Sequence, residues 1–88
     1  MIYQVLNITT GSVAVFAGKS GLGGYQLTAG SDTAVLTIYD NTAGSGTVIG
    51  KASAVAGTSF KNDMSVIAGT GIYAVLSGTG ASALIYWR

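Results

Sequence analysis

The sequence predicts an all-β fold, an antiparallel β-sandwich or jelly-roll-like domain of about eight short strands with no long helix. Three observations carry that expectation. Apolar residues recur at period two or in short runs bounded by glycine, the spacing of half-buried strands. They hold no i, i+3, i+4, i+7 register over a window long enough for a helix, and the alanines follow no helical period. The apolar segments also succeed one another at roughly ten-residue spacing, the interval typical of sandwiches and small barrels.

The elements follow in order. Ile2 to Thr9 forms a first strand and Ser12 to Ala17 a second, with Thr10-Gly11 as a tight turn between them. Gly18 to Gly24 holds four glycines and reads as a loop or bulged bend leading into Tyr25 to Ala29. Gly30-Ser31-Asp32 is a turn signal. Ala34 to Asp40 is the clearest strand, with Val35, Thr37 and Tyr39 on one side and Leu36 and Ile38 on the other. Asp40 to Gly46 breaks it with residues that bond their own backbone or accept positive φ. Thr47 to Ala56 resumes as a strand, with Gly50 as a bulge. Thr58 to Met64 and Ser65 to Ala68 are two shorter strands. Ile72 to Leu76 and Ala83 to Trp87 make a closing hairpin.

The 88 residues form one domain, whose first part, Met1 to Gly24, reads as an N-terminal arm or strand. Gly, Ser, Thr and Ala fill 45 positions, yet Leu, Ile, Val and Phe still supply about a quarter of the chain. That exceeds the roughly 20% typical of disordered sequences, so a folded domain is expected. Only 8% of residues are charged, against about 25% in an average soluble domain. The strongest strands are apolar on both sides, Ala74 and Leu76 against Tyr73 and Val75, Leu84 and Tyr86 against Ile85 and Trp87. A lone antiparallel sandwich should present one polar face, so two-sided apolarity predicts cover from neighbouring subunits. Association would also shield strand edges that carry few charges.

The inventory of reactive groups is short. There is no Cys, His or Glu, which removes most metal-ligand and acid/base arrangements. No catalytic, cofactor-binding or metal residues are expected, and the chain is not read as an enzyme. A phosphate loop ending at Gly18-Lys19-Ser20 needs a glycine where Val13 stands. One ending at Gly50-Lys51 needs it where Ser45 stands. Asp40-Asn41-Thr42 begins like a calcium loop, but Thr42 and Gly44 occupy ligand positions and no terminal Glu exists; turn capping is the favoured reading. Four basic and three acidic residues, scattered singly, predict no nucleic-acid or membrane partner. Met1-Ile2-Tyr3-Gln4 lacks a basic leader region, which predicts synthesis without a signal peptide. Tyr39, Tyr73, Tyr86 and Trp87 are the candidate interface residues, since amphipathic rings favour packing between subunits. A sugar-stacking surface is the alternative use of the same aromatics.

From Tyr25 onward the chain resembles small structural proteins of tailed bacteriophages. The likeness lies in Leu27-Thr28-Ala29-Gly30-Ser31-Asp32, the strand Ala34 to Asp40, and Thr42 to Gly50. It continues through Gly71 to Gly80 and ends in Ala83-Leu84-Ile85-Tyr86, covering about two thirds of the chain. The resemblance implies a virion component made in the host cytoplasm, above all a capsid decoration or cement protein that binds the major capsid protein as a homotrimer on the capsid surface; Met1 to Gly24, outside the likeness, would then be an arm or strand making capsid or subunit contacts. A neck, tail or fibre component of the virion and a carbohydrate-binding β-sandwich module are the alternatives.

Overall fold

The alternating apolar stretches become strands. The computed structural model describes residues 3–88 and contains β1 (Gln4–Thr9), β2 (Gly11–Ala17), β3 (Ser20–Thr28), β4 (Ala34–Asp40), β5 (Thr47–Ala54), β6 (Ser59–Ala68), β7 (Gly71–Ser77) and β8 (Ser82–Trp87). β4 has the expected bounds. Ile2, placed at the head of the first strand, lies outside the described residues.

Two four-stranded antiparallel sheets pack face to face. Sheet I has the order β1-β8-β3-β6 and sheet II the order β2-β7-β4-β5. Each strand pairs with its mirror in chain order, β1 with β8, β2 with β7, β3 with β6 and β4 with β5. Successive pairs go to alternate sheets, which is one long antiparallel ribbon rolled up into an eight-stranded jelly roll. The first 24 residues contribute an edge strand to each sheet and the start of β3.

Three local expectations change. The closing pair β7 and β8 is no hairpin, because β7 lies in sheet II and β8 in sheet I; β4–β5 is the one pair of consecutive strands that hydrogen-bond to each other among the described residues. The turn signal between Ser77 and Ser82 was real, but it serves a crossing between layers. Thr58 to Met64 and Ser65 to Ala68 join into the single strand β6. Gly18 to Gly24 is largely strand: β3 starts at Ser20, and Gly21 exchanges two backbone hydrogen bonds with Arg88, at 2.7 and 2.9 Å. The bulge expected in this stretch is present, with β3 slipping register between Leu22 and Gly24. Gly24 sits there at φ +141, where an added Cβ would meet the backbone of Asn62 and Asp63, so only glycine fits.

The alternation sorts side chains into a shared core. Leu22, Tyr25, Leu27 and Ile85 of sheet I meet Leu36, Ile38, Ile72 and Leu76 of sheet II, all essentially buried. Alanines at 34, 52, 54, 68, 74 and 83 are buried in the same core. Tyr25 is the buried tyrosine among the described residues. Its hydroxyl donates to the carbonyl of Lys51 on β5 at 3.2 Å and accepts from the Asn62 amide at 3.3 Å, tying the sheets together at one side. Phe16 and Trp87 stack across the layers with ring centroids 4.8 Å apart.

The turns at the two ends are tied by backbone and hydroxyl contacts. At one end Thr10 donates to the carbonyl of Gly78, Ser31 to Thr79, and Gly57 to Gly30. Gly78 has φ +115, and a Cβ there would strike the Thr33 carbonyl. At the other end Gly18 donates to Thr70, and the Asp40 carboxylate accepts backbone N–H groups from Thr70, Gly69 and Gly71 at 2.8, 3.1 and 3.3 Å.

Candidate functional site

With the core consumed by packing, any site must lie on the outer faces, the edges or the turns. The strand register builds each outer face as a grid. On sheet II one row runs Ala14, Tyr73, Tyr39, Val48 across β2, β7, β4 and β5. The next runs Ser12, Val75, Thr37, Lys51, and a third contains Ser77, Val35 and Ser53. Tyr73 and Tyr39 are direct cross-strand neighbours, a spacing of about 5 Å between Cβ atoms. Both are half-buried, as are Val35, Thr37 and Val75. The β4–β5 loop folds over this face, and Gly44 lies against Tyr73 and Val75, where an added Cβ would approach both to 3.4 Å. Asn41 holds that loop by donating to the Ser45 carbonyl at 2.7 Å. Lys51 is the charged residue in these three rows.

Sheet I presents a different face. One row runs Val5, Tyr86, Gly24, Asp63 and the next Asn7, Leu84, Gln26, Lys61. Glycines at 21 and 23 leave room above β3 for long side chains. Arg88 lies over Gly21, 3.3 Å from where a Cβ would be, and the Tyr3 ring rests on Gly23. The Arg88 guanidinium carbon is 5.0 Å from the centroid of the Tyr3 ring, a cation–π contact. Beside this stack is a depression of about 430 Å³ lined by Tyr3, Gly23, Lys61, Asp63, Met64 and Tyr86. A second depression, of about 280 Å³, follows the β1–β2 turn from Leu6 to Val13 and carries no charged residue.

The four candidate interface residues therefore separate. Tyr39 and Tyr73 stand together on sheet II, Tyr86 is on the outer face of sheet I, and Trp87 turns inward onto Phe16. Tyr3 and Tyr25 acquire roles that sequence reasoning did not single out. Tyr25 at least follows a glycine that becomes strand, whereas nothing near Tyr3 in the sequence marks it.

Asp40 shows what the acidic residues do. The N–H groups of Thr70 and then Gly69 hold its carboxyl below the usual carboxylate range, opposed by desolvation and helped least by Gly71. It caps the β6–β7 turn from the end of β4. Asp32 accepts from the backbone of Thr33 at 2.8 Å, and Asn41 likewise from Thr42. Among the described residues no three His, Cys, Asp or Glu side chains gather as a metal site.

No family model matches the chain, and no curated protein matches it.

Proposed function

We propose that the chain is a structural subunit of a virion, a capsid decoration protein that lies on the major capsid lattice as a homotrimer. The observation that carries the reading is the outer face of sheet II, with Tyr39 and Tyr73 at its centre, Val35, Val75 and Val48 around them, and one lysine. A face this poor in charge gains free energy when another protein covers it, and tyrosines bring large area at low conformational cost. The resemblance of residues 25–86 to small virion proteins supplies the partner. An eight-stranded jelly roll is an architecture used by viral capsid and lectin domains, which supports the reading at the level of the fold. The mechanism is mechanical: several modest contacts, linked through a symmetric assembly, hold neighbouring capsid subunits with far greater avidity than one contact would.

Light scattering on the purified chain tests the assembly. A trimer at micromolar concentration is expected, and a clean monomer there overturns it. Labelling of the virion with an antibody against the chain then locates it: signal on the head supports decoration, and signal on neck, tail or fibre replaces it. Because the contacts are apolar, binding to capsids should change little between low and moderate salt, whereas a steep loss would identify charge as the cause.

A further inference from the structure

The outer face of sheet I holds a site that a purely structural role does not use. Of the seven charged residues in the chain, Lys61 and Asp63 line one depression together with Tyr3 and Tyr86, and Arg88 lies against Tyr3 beside it. The register explains its shape. Tyr86 and Asp63 occupy the same cross-strand row with Gly24 between them. Adjacent strands lie about 4.8 Å apart, so Tyr86 and Asp63 stand on backbones roughly 9.5 Å apart with Gly24 buried between them, and Gly23 and Met64 complete the lining of the slot. One wall is an aromatic ring and the other carries an exposed carboxylate, with the Lys61 ammonium two residues away on the same side of β6. Tyr3 closes the end of the slot and is fixed in place, with Gly23 beneath its ring and Arg88 beside it.

We infer that this slot binds a neutral hexopyranose unit of a glycan, with Tyr86 against its C–H face and Asp63 and Lys61 bonding its hydroxyls. Three features select that chemistry. The ligand must have an apolar face a ring wide, to use Tyr86. It must donate hydrogen bonds, because a carboxylate only accepts, and accept them, because an ammonium only donates. Its own charge should be near zero, because Arg88 is engaged on Tyr3 and the remaining Lys61 and Asp63 cancel. A sugar ring meets all three requirements. A phosphate would face the Asp63 carboxylate, and a purely apolar ligand would strip water from both charges without replacing its bonds. The depression also falls in the size range of small-molecule sites. The slot lies on the sheet opposite the proposed docking face, so one subunit can be held by sheet II and bind sugar through sheet I.

The test is titration of the full-length chain with neutral mono- and disaccharides of glucose, galactose, mannose and N-acetylglucosamine, read from backbone amide chemical shifts. At least one sugar should produce saturating shifts at Gly23, Lys61, Asp63 and Tyr86. Asp63→Asn and Tyr86→Leu should each weaken it about tenfold, the size of one charge-assisted hydrogen bond or one ring contact. Tyr73→Leu, on the other sheet, should leave Kd unchanged. Asp63 is exposed, so its variant should keep the wild-type amide spectrum elsewhere and remain informative if Tyr86→Leu fails to fold. The inference is overturned if no neutral sugar shifts these amides or if affinity survives Asp63→Asn.

Discussion

The two outer faces are made by the same kind of strands on the same core, yet they are built for different neighbours. Sheet II sets apolar and aromatic side chains side by side, half-buried already by one another and by the Gly44 loop, with Lys51 alone for charge. Sheet I breaks its face with glycines at 21, 23 and 24, and the space fills with Tyr3 and Arg88 beside a polar slot. A continuous grid suits a broad protein surface. A grid interrupted by glycine leaves a recess the width of a small ring. In a chain with so little charge, placing three of seven charged residues on one face is what separates the proposed docking surface from the proposed ligand slot.

The sharpest way to break the comparison is to put charge where it is scarce. Val75→Lys introduces an ammonium into the middle of the sheet II grid. A charge buried unpaired in an interface costs about 3–5 kcal/mol, equivalent to at least a hundredfold in each contact. The variant should be monomeric by light scattering while melting as a folded domain and retaining sugar-dependent shifts at Lys61 and Asp63. Loss of both properties together would show that the faces do not act independently.

A change in the shared core should damage both faces at once. Leu36 is fully buried under sheet II and packs toward sheet I, so Leu36→Ala should destabilise the domain by about 2–5 kcal/mol. For a domain of this size that lowers Tm by roughly 10 °C or more. Calorimetry would check it. An effect below about 1 kcal/mol would mean that the interior around Leu36 collapses onto the space left behind.

Tyr25→Phe is a smaller test of how the sheets are joined. It removes the hydroxyl that bonds Lys51 and Asn62 and keeps the ring. The expected cost is about 1 kcal/mol, or some 4–8 °C in Tm. Hydrogen exchange should quicken at β5 and β6 before it does at β7 and β8, because those two edge strands meet through this side chain.

How far the sequence could be read follows from which contacts are local. β4 was legible to the residue, because Ala34 to Asp40 alternates cleanly and is flanked by turn residues. The all-β class, the strand count and the jelly-roll architecture were legible too. The partners were not: Ser77 to Ser82 has the composition of a hairpin turn, and nothing local distinguishes a turn within a sheet from one that crosses between sheets. Gly18 to Gly24 reads as a loop or a bulged bend because glycine usually marks one, and of the two only the bulge is there, inside a strand. Here the glycines make room for Tyr3 and Arg88, from opposite ends of the chain, which no local pattern encodes. The sugar slot is illegible for the same reason, since Tyr3, Gly23, Lys61, Asp63 and Tyr86 share a location only after β3, β6 and β8 have paired.

The smallest effect separates two carboxylates in opposite roles. Asp63 is exposed and free to meet a ligand, whereas Asp40 is committed to three backbone N–H groups at 69–71. Because those bonds favour the ionised form, Asp40 titrates lower in the folded chain than in the unfolded one. Its stabilising contribution is therefore complete above the unfolded value of about 3.8 and is lost as pH falls through the lower folded value. Tm should stay level from neutral pH down to about pH 5 and decline below about pH 4. Asp40→Asn should lower Tm at neutral pH and flatten the acid decline, with hydrogen exchange quickening at Gly69, Thr70 and Gly71. Since the bond lies at the end of β4 and away from the sheet I slot, sugar affinity at neutral pH should not change. An acid decline that persists undiminished in Asp40→Asn would assign it to another carboxylate and remove the distinction drawn between the two.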